Sequence, residues 1–236
     1  MNLDLRILPA HAWAPAVADE LVERLRERPR LRLCLPTGAT PAPLYDELVR
    51  RADAPWGGVE IVLLDEYLGL PEGDPARGGD RLRRELVERL PEAPAAYHEI
   101  DLAADADEAA GRHDAVAAHG LDLTLVGLGA NGHIGLNEPG SRPDSPTRVV
   151  ELAPESRVSA AGYGATEAPR RGITLGLGRL LASAELWLLV TGARKAGILA
   201  RALEGPETAD VPASFLRRHP ALRVFADEEA AGSLRG

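Results

Sequence analysis

Short apolar runs and amphipathic stretches alternate from end to end of this chain. Runs rich in Val, Ile and Leu lie at residues 32–35, 59–64, 122–127, 185–191 and 223–226, with shorter ones at 3–7, 97–100 and 173–176. They show little polar alternation, which predicts parallel strands buried on both faces. Between them, helical spacing covers 14–27, 41–51, 79–90, 104–119, 194–203 and 212–218. This strand–helix rhythm predicts an α/β fold: one doubly wound, mostly parallel, Rossmann-like sheet with helices on both faces, over residues 1–236 as a single domain. The stretch 139–171 breaks the rhythm. It is poor in strong apolar residues, carries scattered Pro and Gly, and reads as a long excursion over the sheet, a candidate lid.

Composition narrows the class. At 236 residues with 45% apolar and 27% charged side chains, the chain suits a globular protein with a full core. It has no apolar run long enough to span a membrane, and its opening MNLDLRILPAHAWAP does not read as a secretory signal. A single cysteine, Cys34, sits within a strand-like run and reads as a buried apolar residue, so no disulfide forms within the chain. A cytoplasmic location is expected. The net charge of −9 argues against a nucleic-acid partner. Of the 27 basic side chains only Lys195 is a lysine, which makes that position informative.

The stretch LDLTLVGLGANGHIGLNEPGS, residues 121–141, carries the strongest chemical signal. An apolar strand runs into a glycine-rich turn that delivers His133, Asn137 and Glu138 within six residues. Gly127, Gly129 and Gly132 satisfy the G-x-G-x-x-G dinucleotide fingerprint, but HIGLNEPG follows in place of a helix, and no second strand ending in an acid follows. The match is therefore read as a decoy and no nicotinamide or flavin is expected. A histidine and a carboxylate five apart on one loop suit proton transfer on a shared substrate.

Three other strand ends are candidates. In LPTGATP, Thr37, Gly38 and Ala39 form a turn, Thr40 is placed as a helix N-cap and Pro41 as the first helical residue. The turn fits a plain capped connection or a phosphate cradle of backbone N–H groups. In IVLLDEYLGL a buried run ends in Asp65, Glu66 and Tyr67, where a carboxylate is either a catalytic base or a helix cap or surface ion pair. In VTGARKAG, Lys195 falls in the first turn of a helix, where a cation opposes the helix dipole unless an anion compensates; the alternative is a lysine snorkelling to water. All four sites lie at the carboxyl ends of strands, so one crevice can hold them. Together they describe an anion pocket beside a histidine and carboxylates, without a metal-ligand cluster, suited to acid–base work on a phosphorylated metabolite.

PTGATP, LLDEYLGL, GLGANGHIGLNEPGS, TGARKA and VPASFLRRHP occur in the order and rough spacing of the glucosamine-6-phosphate deaminase family, which this chain resembles from Leu3 to Asp227. The related 6-phosphogluconolactonases share the fold and the histidine loop but usually lack the NEP. The resemblance implies conversion of glucosamine 6-phosphate and water to fructose 6-phosphate and ammonia, with no cofactor and no metal. A lactonase and a sugar-phosphate-binding protein without turnover are the alternatives. By motif, Asp65 matches the base that moves the C2 proton to C1, His133 the residue that helps open the pyranose, and Glu138 the carboxylate that orients it. Gly38, Ala39, Thr40 and Lys195 match the phosphate cradle, with Thr37 beside them.

The chain departs from that pattern at several positions. Asn131 stands where many members carry an aspartate that completes a triad with the histidine. Gly162 stands where the lid usually supplies an arginine to the phosphate. ARGGDRL, residues 76–82, replaces a stretch usually reading S-Y-x-x-F. Ser141 and Arg148 match two activator-binding positions of allosteric members, but Val150 replaces their lysine and the longer C-terminal tail of those members has no counterpart. Hyperbolic kinetics and a monomer or small homo-oligomer are expected.

Overall fold

Strand residues in this chain are apolar on both sides, and the fold uses both. In the computed structural model, which describes residues 3–235, Leu33 and Leu35 face one core cluster while Cys34 between them faces the other. Ile61 and Leu63 alternate with Val62 and Leu64 in the same way, as do Trp187 and Leu189 with Leu186, Leu188 and Val190. Successive side chains of a strand point to opposite faces, so a two-faced apolar strand is stable only between two layers of helices.

The elements run β1 (Asp4–Leu8), α1 (Ala10–Glu27), β2 (Arg32–Leu35), α2 (Ala42–Arg50), β3 (Glu60–Leu63), β4 (Asp65–Leu68), α3 (Gly78–Glu85), β5 (Ala96–His98), α4 (Ala106–Ala118) and β6 (Leu123–Gly127). After these come β7 (Arg148–Glu151), α5 (Pro154–Gly162), β8 (Arg171–Thr174), α6 (Leu177–Leu181), β9 (Glu185–Val190), α7 (Ala196–Glu204), β10 (Leu222–Asp227) and α8 (Glu228–Ala231). Seven strands form a parallel sheet in the order β1-β10-β9-β6-β2-β3-β5. From β2 the chain moves outward through β3 to β5. From β6 it moves outward the other way to β9 and β10. The strand order therefore switches between β2 and β6, and the crevice at their carboxyl ends is the ligand position of open α/β sheets. Among the described residues no helix is long and apolar enough to cross a membrane.

Several expectations need correction. The run at 173–176 was expected to join the parallel sheet; the strand is Arg171–Thr174, and it lies in a separate antiparallel sheet of order β4-β8-β7. Asp65, Glu66 and Tyr67 form a strand of their own in that sheet. The chain leaves the parallel sheet at Leu64, whose amide donates to Leu35 and whose carbonyl accepts from Leu175, both at 3.0 Å. The excursion at 139–171 is structured, since β7 pairs with β8 and α5 follows. Helix α1 starts at Ala10 and carries Pro15 inside it. Trp13 anchors that added turn: it is buried, and its indole N–H donates to the Phe225 carbonyl at 3.0 Å. The helical stretch expected at 212–218 is a 3-10 helix over Pro212–Arg218.

Candidate active site

A cavity of about 460 Å³ opens at the β2/β6 switch point, lined by the loop after β2, the loop after β6, Asp65, α5 and the turn before α7. Every residue expected in the cradle, Thr37, Gly38, Ala39, Thr40 and Lys195, lines it, with Asp65 and His133. Asn131 and Glu138 stand behind His133.

The loop after β6 is built to hold one imidazole. No helix follows Gly132; the chain doubles back through an antiparallel bridge between Ile134 and Asn137. Asn137 is fully buried, and its side-chain amide donates to the carbonyls of Ile134 and Leu175, each at 2.9 Å. That pins the loop to the end of β8 and places Glu138 under His133. Glu138 Oε2 lies 3.4 Å from His133 Nδ1 and accepts from Asn131 Nδ2 at 3.0 Å. Its Oε1 accepts from the Ala153 amide at the start of α5, at 3.1 Å. Burial pushes the Glu138 carboxyl up, but hydrogen bonds from His133, Ser156 and Asn131 outweigh it, and the net direction is down. Glu138 thus stays ionised beside the imidazole. His133 lines the cavity, and with Nδ1 held by Glu138 and Ser156 it has Nε2 to offer a substrate.

Asn131 does not touch the His133 ring. Its Oδ1 accepts the His133 backbone N–H at 3.1 Å, and its amide orients Glu138. Ser156, which the sequence reading missed, is buried in the first turn of α5 with its hydroxyl 3.2 Å from His133 Nδ1. The imidazole lies flat on Gly129, where an added Cβ would stand 2.4 Å from three ring atoms. We expect Gly129→Ala to fold, because that backbone suits alanine, yet to lower kcat on the order of tenfold by displacing the ring. Wild-type kcat in a folded Gly129→Ala protein would contradict this packing role.

Asp65 opens β4 on the far side of the same loop. Its Oδ2 lies 3.0 Å from where a Cβ on Gly135, two residues after His133, would stand. Burial, reinforced by the neighbouring Glu66 charge, raises the Asp65 carboxyl from its ordinary 3.8 to about 7. Glu66 points the other way. It accepts the backbone amides of Tyr67, Gly78 and Gly79, each at 2.7 Å, at the start of α3. Of the two adjacent acids, one faces the cavity and the other fixes the strand.

Thr40 is not the N-cap of α2. That position is Pro41, no side chain caps the helix, and Thr40 lines the cavity instead. With Thr40 as the cap the third helical residue would be Pro43, which has no N–H for the hydroxyl to serve. Lys195 lies in a 3-10 turn, Ala193–Lys195, directly before α7 rather than inside its first turn. Burial, then the charge of Arg194, pushes its amine down. A partly buried cation at a helix N-terminus, beside a second cation, is a site prepared for an anion. Ser141 and Arg148 are bonded to each other: Arg148 donates to Ser141 Oγ at 2.8 Å and to Asn137 Oδ1 at 2.9 Å. Among the described residues no group of three or more His, Cys, Asp or Glu side chains is placed to hold a metal ion.

Comparison with known proteins bears on the family and the fold. Residues 8–224 match the family described as glucosamine-6-phosphate isomerases/6-phosphogluconolactonase. A glucosamine-6-phosphate deaminase of Arthrobacter sp. (strain FB24) is 40% identical over 99% of this chain and 93% of its own length. The solved structure of a monomeric glucosamine-6-phosphate deaminase superposes with a TM-score of 0.91 at 29% identity, covering 98% of this chain and all of the other. A 6-phosphogluconolactonase from Trypanosoma cruzi shares the fold, with a TM-score of 0.80 at 19% identity over all of this chain and 98% of the other.

Proposed function

The chain belongs to the glucosamine-6-phosphate isomerase/6-phosphogluconolactonase family, and we propose that within it the protein is a deaminase/isomerase converting glucosamine 6-phosphate and water to fructose 6-phosphate and ammonia. The observation that carries this reading is one cavity lined by the raised Asp65 carboxyl, the Glu138-backed His133 and the anion cradle at Lys195 and Thr37–Thr40.

The steps follow from that layout. The cradle and Lys195 hold the 6-phosphate, which points the sugar's C1–C2 end toward Asp65 and His133. His133 passes the O1 proton to the ring oxygen and opens the pyranose, while Glu138 stabilises the imidazolium formed in transit. Asp65 removes the C2 proton of the open-chain aldehyde and returns it to C1. The enolamine between these transfers, whose O1 takes the proton that the substrate ammonium gives up, becomes a C2 iminium. Water adds at C2 and ammonia leaves, which balances the reaction without an added oxidant or cofactor. A carboxyl near 7 suits the shuttle, because it gains and loses a proton at neutral pH at similar cost.

Lys195→Met should raise KM for the sugar phosphate ten- to hundredfold, since a charge-assisted contact contributes roughly 1.5–3 kcal/mol. It should not lower the ligand-free melting point, because the folded environment disfavours the ammonium. An unchanged KM would remove Lys195 from the cradle.

Turnover in tritiated water tests the shuttle: label should enter C1 of fructose 6-phosphate. Hydrolysis of 6-phosphogluconolactone well above its spontaneous rate, with no ammonia from amino sugars, would favour the lactonase reading. A melting point raised by sugar phosphate with no product from either substrate would favour binding without turnover. Arg148 donates to Ser141 Oγ, to Asn137 Oδ1 and to the Pro146 carbonyl, which ties its guanidinium into the loop, and Val150 supplies no charge beside it for a second anion. The proposed enzyme therefore shows hyperbolic kinetics, unaltered by N-acetylglucosamine 6-phosphate; sigmoidal curves straightened by that compound would contradict this.

A further inference from the structure

The cradle is open at Gly162: a Cβ built there meets no atom within 4 Å, and neither charge nor hydrogen-bond donor projects into the cavity from that position. The next residue fills part of the gap. Tyr163 lines the cavity, and its hydroxyl lies 3.0 Å from where a Cβ on Gly38 would stand. Gly38 has φ +129° and no side chain, so the phenol oxygen reaches the backbone of the cradle itself.

A cation stands behind that ring. Arg81, in α3, places its guanidinium carbon 4.3 Å from the Tyr163 ring centroid. The Arg81 side chain is only 12% exposed; its Nε pairs with Glu85 at 2.6 Å, and its Nη1 is buried without a partner. A buried arginine with an unsatisfied donor is costly unless its charge is used. Two further contacts hold the pair together. Asp74, just before α3, accepts from the Thr166 amide at 2.9 Å and from the Thr166 hydroxyl at 2.6 Å. Gly164 packs against Pro75. The carboxyl end of α5 is therefore docked on the segment that carries Arg81, while its amino end holds Glu138 and His133 through Ala153 and Ser156.

We infer that Tyr163, with Arg81 stacked on its outer face, is a substrate-phosphate contact that completes the cradle in place of a cation at position 162. The phenol oxygen takes a backbone hydrogen bond from Ala39, which leaves its own O–H to donate to an anion in the cradle, and the guanidinium polarises it through the ring. Arg81 is a positioning residue: it touches the tyrosine and not the substrate. The effect on KM rests on the deaminase reading; the effect on phosphate binding does not.

The test separates the two. Inorganic phosphate should raise the melting point of the wild-type protein and inhibit it competitively. Tyr163→Phe keeps the ring and the stack but loses the donor. Its KM for glucosamine 6-phosphate and its inhibition constant for phosphate should rise together, about tenfold, with kcat within twofold, and the phosphate-induced melting shift should shrink accordingly. Arg81→Met should weaken phosphate several-fold, and Arg81→Lys should recover most of that loss by restoring a cation. If Tyr163→Phe lowers the ligand-free melting point, the Arg81 pair decides: loss with methionine and recovery with lysine supports the assignment, and equal behaviour overturns it. A well-folded Tyr163→Phe protein with an unchanged phosphate constant overturns it outright. Failure to deaminate glucosamine 6-phosphate would strike the functional reading alone, because the phosphate melting shift is read without turnover.

Discussion

Asp65→Asn is expected to lower kcat by about 10²–10⁴, the range of a positioned acid–base group. Tritium incorporation at C1 should disappear with it. Asparagine keeps the shape and cannot take a proton, and phosphate binding, which rests on other residues of the cavity, should persist. Two pH effects follow from a carboxyl raised from 3.8 to about 7. The base must be ionised, so kcat/KM of the wild type should fall as pH drops below about 7. The stability effect has the opposite sense. Between the unfolded and folded values the folded state binds more protons, so stability falls as pH rises through that window, and the ionised group remains a cost above it. Asp65→Asn should therefore be more stable than wild type at pH 8, by on the order of 2 kcal/mol after allowance for water in the cavity, and so melt higher. Surviving C1 exchange would show that Asp65 is not the base. A lower melting point at pH 8 would show that its environment is not the unfavourable one described.

His133→Gln carries the second large effect, a fall in kcat of about 10²-fold or more. Glutamine fits beside Gly129 and can bond Glu138, so the loop should persist, but it cannot shuttle the O1 proton to the ring oxygen. The loss should be confined to ring opening. An acyclic analogue without the C4 and C5 hydroxyls, which cannot close a ring, should be processed at nearly the wild-type rate. An equal loss on that analogue would move His133 from ring opening to a later step.

The parallel sheet was legible because its strands are apolar on both faces, and Arg32–Leu35 was read to the residue. The antiparallel sheet was harder to read. Its strands are short, RVVE is charged at both ends and DEYL opens on two acids, so nothing in their periodicity separates them from loop. Asp65 stood out as an acid ending a buried run; that it opens a new strand depends on Leu175 pairing with Leu64, a contact distant in sequence. Asp65 and His133 line the cavity with the cradle, and Glu138 stands behind His133, at positions motif spacing had singled out. Ser156 and Tyr163 were missed because α5 follows a proline in a stretch of small residues with no marked apolar face. A serine two residues after Pro154 looks like ordinary helix start, and Tyr163 gains meaning only when Arg81, 82 positions earlier, is found on its ring. The alignment of Gly162 with a missing arginine was visible in the sequence; what stands beside the gap was not.

The most direct measurement is incubation of the protein with millimolar glucosamine 6-phosphate at neutral pH, with ammonia and fructose 6-phosphate followed in the same sample. The account predicts that both form at the same rate and in equal amounts, and that neither forms with Asp65→Asn. Absence of both products with the wild-type protein would contradict it.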